Sequence, residues 1–559
     1  MGFLIYRLII FVALFFIISL GSGCGESRYS KDQLLAQHAG APLLEGLGNF
    51  NFTISTDNDD AQRYFNQGLV LAFAFNHAES VRSFQAAQKL DPQCAMCFWG
   101  ESLARGPNIN VTSDGQAVMS PDDRRKAFSV YKQALYLVNP ENKKEKAYIN
   151  ALSKRYNGDI TTSREPLDKQ YALAMQKLVN DYPDDITAAS LYAEALMNTM
   201  PWNYWTEEGS PREDTKKVIN NLESVLERDQ NHPLAIHLYI HAVEASKSPE
   251  RAEKAADRLA KLVPGAGHLV HMPAHIYWRV GRYHDASQAN INAAKVDEKY
   301  IAQCNAQGFY PALYYPHNIH FLWAASMMEG RSKLSIESAL KVSKYVHDDQ
   351  IKKFPTIEFF KTIPLLSYVR FQKWEEILMF PQLLDGYKFS QGILHYAKGV
   401  AYASKGEIQK AIQEQLKIVP LKDSNEIRLL IKGGQPSGLL LDIANELLLG
   451  EINSAKKDFK KASYHFSKAV DIQDSLPYTE PPFWYYPTRQ SLGVSLMKEN
   501  KFLEAEKVYK RDLKDYPRNG WSMFGLSKAL ESQNKNIEAN QVQKKFEDVW
   551  QMADIDLKL

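Results

Sequence analysis

From about Asn58 to Ala553, apolar residues recur every three to four positions, and no run alternates convincingly at every second one. That pattern predicts helix after helix. Many of the predicted helices pair, and the pair returns after about 34 residues. The clearest unit is Tyr64 to Pro92. Tyr64, Gly68 and Leu71 mark its first helix, Phe84 and Ala87 its second, and Asp91-Pro92 closes it. A second unit carries Leu492-Gly493, Leu496, Ala505, Tyr509 and Pro517, and a third Tyr277, Gly281, Tyr283, Ala286 and Ala293. Lys457 to Ala469 reads as the second helix of a fourth. Small residues such as Gly68, Gly493 and Ala87 let two helices approach closely, and large ones fill the space beside them. One pair cannot bury its apolar stripe alone, so pairs stack, roughly ten to twelve in all. Loops are expected at Gly106 to Ser120, Asn157 to Glu165, Met200 to Asp214, Lys299 to Tyr310 and Ser475 to Pro482. A boundary is expected near Val346 to Pro355, between a His- and Trp-rich half and a Lys-richer one.

These positions resemble the tetratricopeptide repeat (TPR), with its large residue, Gly and large residue in one helix, its aromatic and Ala in the next, and its final Pro. The resemblance implies an all-α, right-handed TPR-like solenoid of helix-turn-helix repeats, with arrays at 58–350 and 351–559. Four segments, Cys94 to Asn110, His268 to Tyr283, Tyr314 to Trp323 and Pro481 to Gly493, look like a large group of bacterial TPR proteins known mainly by the repeat. That likeness covers about Asn58 to Trp550 and implies a shared site, but no established activity.

The stretch Gly267 to Asp285 holds four of the chain's 14 histidines. His268, His271 and His275 are spaced i, i+3 and i+7, which puts them on one face of a helix. In the TPR family, positions 2, 5, 9, 12 and 13 of the first helix line the concave groove. Carried onto this chain, those positions are His268, His271, His275 and Trp278 in one repeat. In the repeat before it they are His237, His241 and Glu244, and in the repeat after it His317 and His320. By local similarity Glu194 takes position 9 one repeat earlier. Pro273 departs from a regular helix and is expected to bend or restart it.

Three readings stay open. The first is a non-metal groove that grips a peptide, carboxylate or glycan through imidazole N–H groups and aromatic faces. The second is a divalent metal held by His237, His241, His268, His271 and His275, since imidazole is a common ligand and spaced histidines can share an ion. Glu194 or Glu244 would complete or orient it. The third is a set of polar side chains that bond one another for stability alone.

At the N-terminus, Arg7 is followed by the apolar run Leu8 to Leu20, then Gly21-Ser22-Gly23 and Cys24. This is the layout of a secretory signal, too short for a comfortable membrane span. A Cys after small residues resembles the lipobox of bacterial lipoproteins, although Gly21 stands where that motif has Leu. The resemblance implies a signal at 1–23, lipid on Cys24, a tether over 24–57, and a protein facing away from the cytoplasm at the bacterial cell envelope. A cleaved signal without lipid and an uncleaved anchor remain alternatives.

Lys and Arg number 67 against 65 Asp and Glu, so no nucleic-acid partner is expected from charge. Besides Cys24 there are Cys94, Cys97 and Cys304, too few for a disulfide scaffold. Cys94-Ala-Met-Cys97 is compatible with a redox pair or half a metal site, and equally with an oxidised pair or packed thiols. Phe483-Trp484-Tyr485-Tyr486-Pro487 and Met200 to Trp205 are aromatic loops, read either as groove rim or as core. No Ser nucleophile motif, HExxH or dinucleotide loop is present. The expectation is therefore a membrane-tethered binding scaffold for a protein or peptide partner rather than an enzyme. A metal-binding protein or metal-dependent enzyme using the same histidines is the alternative.

Overall fold

The computed structural model describes residues 30–110, 120–206, 209–306, 308–381 and 386–558. The described residues fall into two units, 30–43 and 44–558. In the first, Ser30 and Gln33 form a reciprocal cap on the helix Lys31–Ala39. Cys24 lies outside the described residues. Among those residues, no helix is long and apolar enough to cross a membrane.

Residues 44–559 build a TPR-like solenoid of helix-turn-helix repeats, and the described residues contain no strand. The clearest expected unit is the pair Asp59–Phe73 and His77–Leu90. Its logic is spatial. A Cβ on Gly68 would come within 2.8 Å of the Phe84 ring, and one on Gly100, in the next helix Ala95–Ala104, would collide with the same ring. Phe84 thus wedges between two glycines of flanking first helices. Tyr509 does the same between Gly493 and Gly525.

The tether is expected through residue 57; from Leu44 onward the chain lies in the same compact unit as the repeats. Leu44 N–H donates to Gln67 Oε1 at 2.8 Å, Phe52 N–H to Asn66 Oδ1 at 3.1 Å, and Ser55 N–H to Glu145 Oε1 at 2.7 Å. Backbone amides that would otherwise face water find side-chain acceptors on the first repeats. The expected boundary near residue 350 falls inside the 44–559 unit.

Repeats far apart in sequence also meet. Trp521 Nε1–H donates to the Met327 carbonyl at 3.0 Å, and Asp554 accepts from the Ser332 and Lys333 amides at 2.6 and 3.0 Å. The turn glycine Gly281, at φ +78°, sits against the Pro517 carbonyl. Arg370 stacks on Trp521, with its guanidinium 3.5 Å from the ring centroid, and on Tyr486 at 4.8 Å.

Asp512 ties the last two repeats together, accepting from Ser522 Oγ at 2.5 Å and Asn519 Nδ2 at 2.9 Å. Burial pushes its carboxyl up to about 7, despite those bonds and the pull of Arg489. The folded chain thus holds a proton that the unfolded chain releases near the ordinary aspartate value. Stability from this group falls as pH rises from about 4 through about 7. Buried Asp297, also pushed up to about 7, adds a change of the same sign. Thermal midpoints of wild type and Asp512→Asn at pH 5 and pH 7.5 are expected to show a smaller pH-dependent drop in the variant. An unchanged drop would remove Asp512 from the account.

Candidate functional site

The helix Pro233–Val243 is buried on every side, which suits its almost wholly apolar sequence. Pro233 occupies its first turn, where no amide bond is lost, and the His232 ring accepts from the Ala235 amide at 3.3 Å as its N-cap. Its polar exceptions are His237 and His241, followed by Glu244 at the C-cap. The next repeat restarts at Pro273, as expected. A short helix, Gly267–His271, is followed by Pro273–Val280, and Met272 between them keeps helical angles. The proline therefore does not scatter the stripe, and the rings of His268 and His271 lie 5.9 Å apart and those of His271 and His275 4.8 Å.

The structure brings together His237, His241, Glu244, His268, His271, His275 and His317. All are buried except His317, which is partly exposed. They form two triads. In the first, His237 Nε2 and His268 Nε2 are 3.1 Å apart, and the His241 ring centroid is 4.9 Å from that of His237. In the second, His271 Nε2 and His275 Nε2 are 2.9 Å apart, with His317 against His271 at 4.8 Å between centroids. One nitrogen from each ring of a triad lies within 4.8 Å of those of the other two. Glu480 joins from the aromatic loop near the C-terminal repeats, its Oε2 3.2 Å from His275 Nδ1.

The other ring nitrogens define the tautomers. His237 Nδ1–H donates to the Phe73 carbonyl at 2.6 Å and His241 Nδ1–H to Glu244 Oε1 at 2.9 Å. His271 Nδ1–H donates to Asn290 Oδ1 at 2.7 Å, and the Asn290 amide is oriented by its own bond to the Ala286 carbonyl. His275 Nδ1 lies 2.5 Å from Glu244 Oε2. The first three partners accept hydrogen bonds, so His237, His241 and His271 carry their proton on Nδ1 and turn the Nε2 lone pair inward, while His275 meets Glu244 as a close ion pair. This is how metal-ligating histidines are usually held. His241 Nε2 and His268 Nδ1 are buried with no hydrogen-bond partner among the described residues.

Burial lowers the pKa of His237, His268, His271 and His317, and the neighbouring imidazoles lower them further. They are neutral. Burial also opposes charge on Glu244 and His275, but each overcomes it through the other. The Glu244 carboxyl is held low and the His275 imidazole high. Glu480 is pushed up, first by burial. Phe75 packs against His237 and His268 at 4.5 and 5.4 Å, and Phe321 against His271 and His275 at 5.2 and 5.0 Å. Trp202, 46% exposed, covers His241, and Tyr478, 44% exposed, donates to Glu480.

Three expected residues lie elsewhere. His320 stacks on Trp323 and meets Phe359 and Phe360. Trp278 packs on Tyr283 and Phe321 and lines a narrow crevice with Trp323, Trp484 and Tyr485. Glu194 pairs with Asn198 and feels the buried Arg155. Trp484, Tyr485 and Tyr486 are buried, so that loop is packing rather than rim. Cys94 and Cys97 form a disulfide at the start of the helix Ala95–Ala104. The sequence reading missed Phe73, Phe75, Asn290 and Glu480. Only Glu480 had a signal, its position just before the segment Pro481 to Gly493.

Among solved structures, the chain is similar to a human IFIT1 dimer with m7Gppp-AAAA. That match has 12% identity, covers 95% of this chain and 97% of that one, and has a TM-score of 0.32. It is also similar to yeast Tom70, at 13% identity, 88% and 93% coverage and a TM-score of 0.27. The P58(IPK) TPR domain gives 11%, 85% and 99%, with a TM-score of 0.23. Scores this low carry no argument about the site. No protein-family model and no curated protein matches the chain.

Proposed function

We propose that this chain is a helical-repeat scaffold built around a buried transition-metal centre, and that metal binding is its biochemical function. One observation carries the reading. Three imidazoles donate Nδ1–H to oxygen acceptors and His275 sets its Nδ1 against Glu244, so that their Nε2 atoms converge. Two inward lone pairs at 2.9 Å repel unless a cation lies between them. In the metal-free chain a second proton on His275 meets that need, in keeping with its raised pKa. Metal in the second triad replaces that proton, and metal in the first satisfies His241 Nε2, which otherwise costs about 1–3 kcal/mol as a buried unpaired group. The donor set is imidazole with carboxylate behind it, which suits zinc, copper, iron or nickel rather than magnesium or calcium. His237, His241, His268, His271, His275 and His317 would hold the metal, and Glu244 and Asn290 would orient them.

A groove open to a peptide or glycan fits less well, because His237, His241, Glu244, His268, His271 and His275 are buried, with Phe75, Phe321 and Trp202 packed on the rings. Attachment through lipid on Cys24, facing away from the cytoplasm, is part of the proposal and rests on the signal-like N-terminus alone. A protein partner would use the outer faces of the repeats.

The test is elemental analysis of the full chain, solubilised in detergent and purified without a metal-binding tag, beside His271→Ala/His275→Ala. A first-row metal is expected in the wild type and a large loss in the variant. No metal in either, and none taken up on reconstitution, overturns the reading.

A further inference from the structure

We infer that the centre is built for two metal ions side by side, each held by its own imidazole triad. The inference rests on the metal reading above and specifies its nuclearity. His237, His241 and His268 form one group of converging nitrogens, and His271, His275 and His317 another, with no residue in common. Six imidazoles exceed what one ion needs when it takes four donors, the usual number for zinc. Three per ion leave each with open positions. Within a tetrahedral site at normal zinc–nitrogen lengths, two ligand nitrogens are about 3.3 Å apart. The Nε2 pairs at 3.1 and 2.9 Å, one in each triad, need only slight opening to reach that spacing.

The triads adjoin one another. The rings of His268 and His271 lie 5.9 Å apart and those of His241 and His275 5.5 Å. Glu244 sets this relation. Its Oε1 accepts from His241 of the first triad and its Oε2 faces His275 of the second. One carboxylate therefore orients a ligand in each half and holds the halves at a fixed separation. A third convergence, of Glu244, His275 and Glu480, uses the far nitrogen of His275. We assign it to orientation and charge balance rather than to a third ion. Imidazole suits copper and zinc, and copper(I) is the monovalent test ion. Zinc is the divalent comparison.

The experiment uses the full chain stripped of metal, titrated with Zn2+ in air and with Cu+ under anaerobic conditions, with free metal set by a competing chelator. Two tightly bound equivalents are expected. His237→Ala/His268→Ala and His271→Ala/His317→Ala should each retain one, with helical circular dichroism unchanged. A single equivalent in the wild type overturns the two-ion inference and leaves the metal reading standing, whereas none overturns both. A variant that loses both equivalents while still folded shows that the triads are not separate half-sites. If a variant does not fold, the wild type loaded with two equivalents of Cu2+ decides. A paramagnetic resonance signal well below two spins per chain supports adjacent ions, and two full, independent spins overturn it.

Discussion

Glu244→Gln is expected to weaken metal binding by roughly 10–100-fold, the usual effect of losing the partner that orients a ligating histidine. The carboxylate takes His241 Nδ1–H on one oxygen, and its other oxygen faces His275 Nδ1. An amide has one acceptor oxygen and one donor nitrogen, so it can serve only one of the two rings in this way. The other ring then faces an N–H group. It relieves the clash by moving its proton to Nε2, which blocks the position that would bind metal. Glu244→Ala goes further. It leaves a buried imidazolium without its counter-charge, a change that costs about 3–5 kcal/mol when one partner of a buried pair is removed. Chelator competition measures the first effect and denaturant unfolding the second. Glutamine-variant affinity within twofold of wild type would show that Glu244 orients nothing, whatever the alanine variant does to stability.

Gly281→Ala is expected to destabilise the 44–559 unit by about 2–5 kcal/mol. Two terms add. A residue with a Cβ in the left-handed region costs about 1–2 kcal/mol, and Gly281 has φ +78°. Overpacking costs about 1–3 kcal/mol more. The atoms that the new Cβ would meet are the backbone carbonyl of Pro517 and, at 3.0 Å, Arg518 Cβ. Neither can turn aside like a flexible side-chain end, so the segment around Pro517 has to move. The expected readout is a lower denaturation midpoint with new protease cleavage near residues 515–520. A variant as stable and as resistant as wild type would show that this long-range contact is not needed.

Much of the fold was legible because the repeat writes its packing rule locally. Gly68, Phe84 and Gly100 are close enough in sequence for a single unit and its neighbour to reveal them. The histidines of Pro233–Val243 and of the next repeat were legible for the same reason, since helical spacing fixes which side chains share a face. His320 shares a face with His317 by spacing, yet its ring meets Trp323, Phe359 and Phe360, an approach that helical spacing does not foresee. Glu194 fell at the right register position in the wrong repeat. A repeat touches chiefly its neighbours, and the neighbour of Glu194 supplies Arg155. Phe73 had no local signal that tied it to the histidines. Phe73 lies 164 residues from His237, and helical periodicity says nothing about which distant turn arrives.

Those distant arrivals change how the array comes apart. In an ordinary solenoid the end repeats can peel away in succession while the middle stays folded. Here the first repeat accepts a hydrogen bond from His237, and the last repeats are bonded to Met327, Ser332 and Lys333. Peeling either end therefore tugs directly on the middle. On the proposed metal reading, an ion held there would leave through such openings, so its residence time would follow the opening rate rather than the strength of its bonds alone. Adding chelator in excess would then stop speeding release beyond a ceiling, and denaturant below the unfolding midpoint would raise that ceiling.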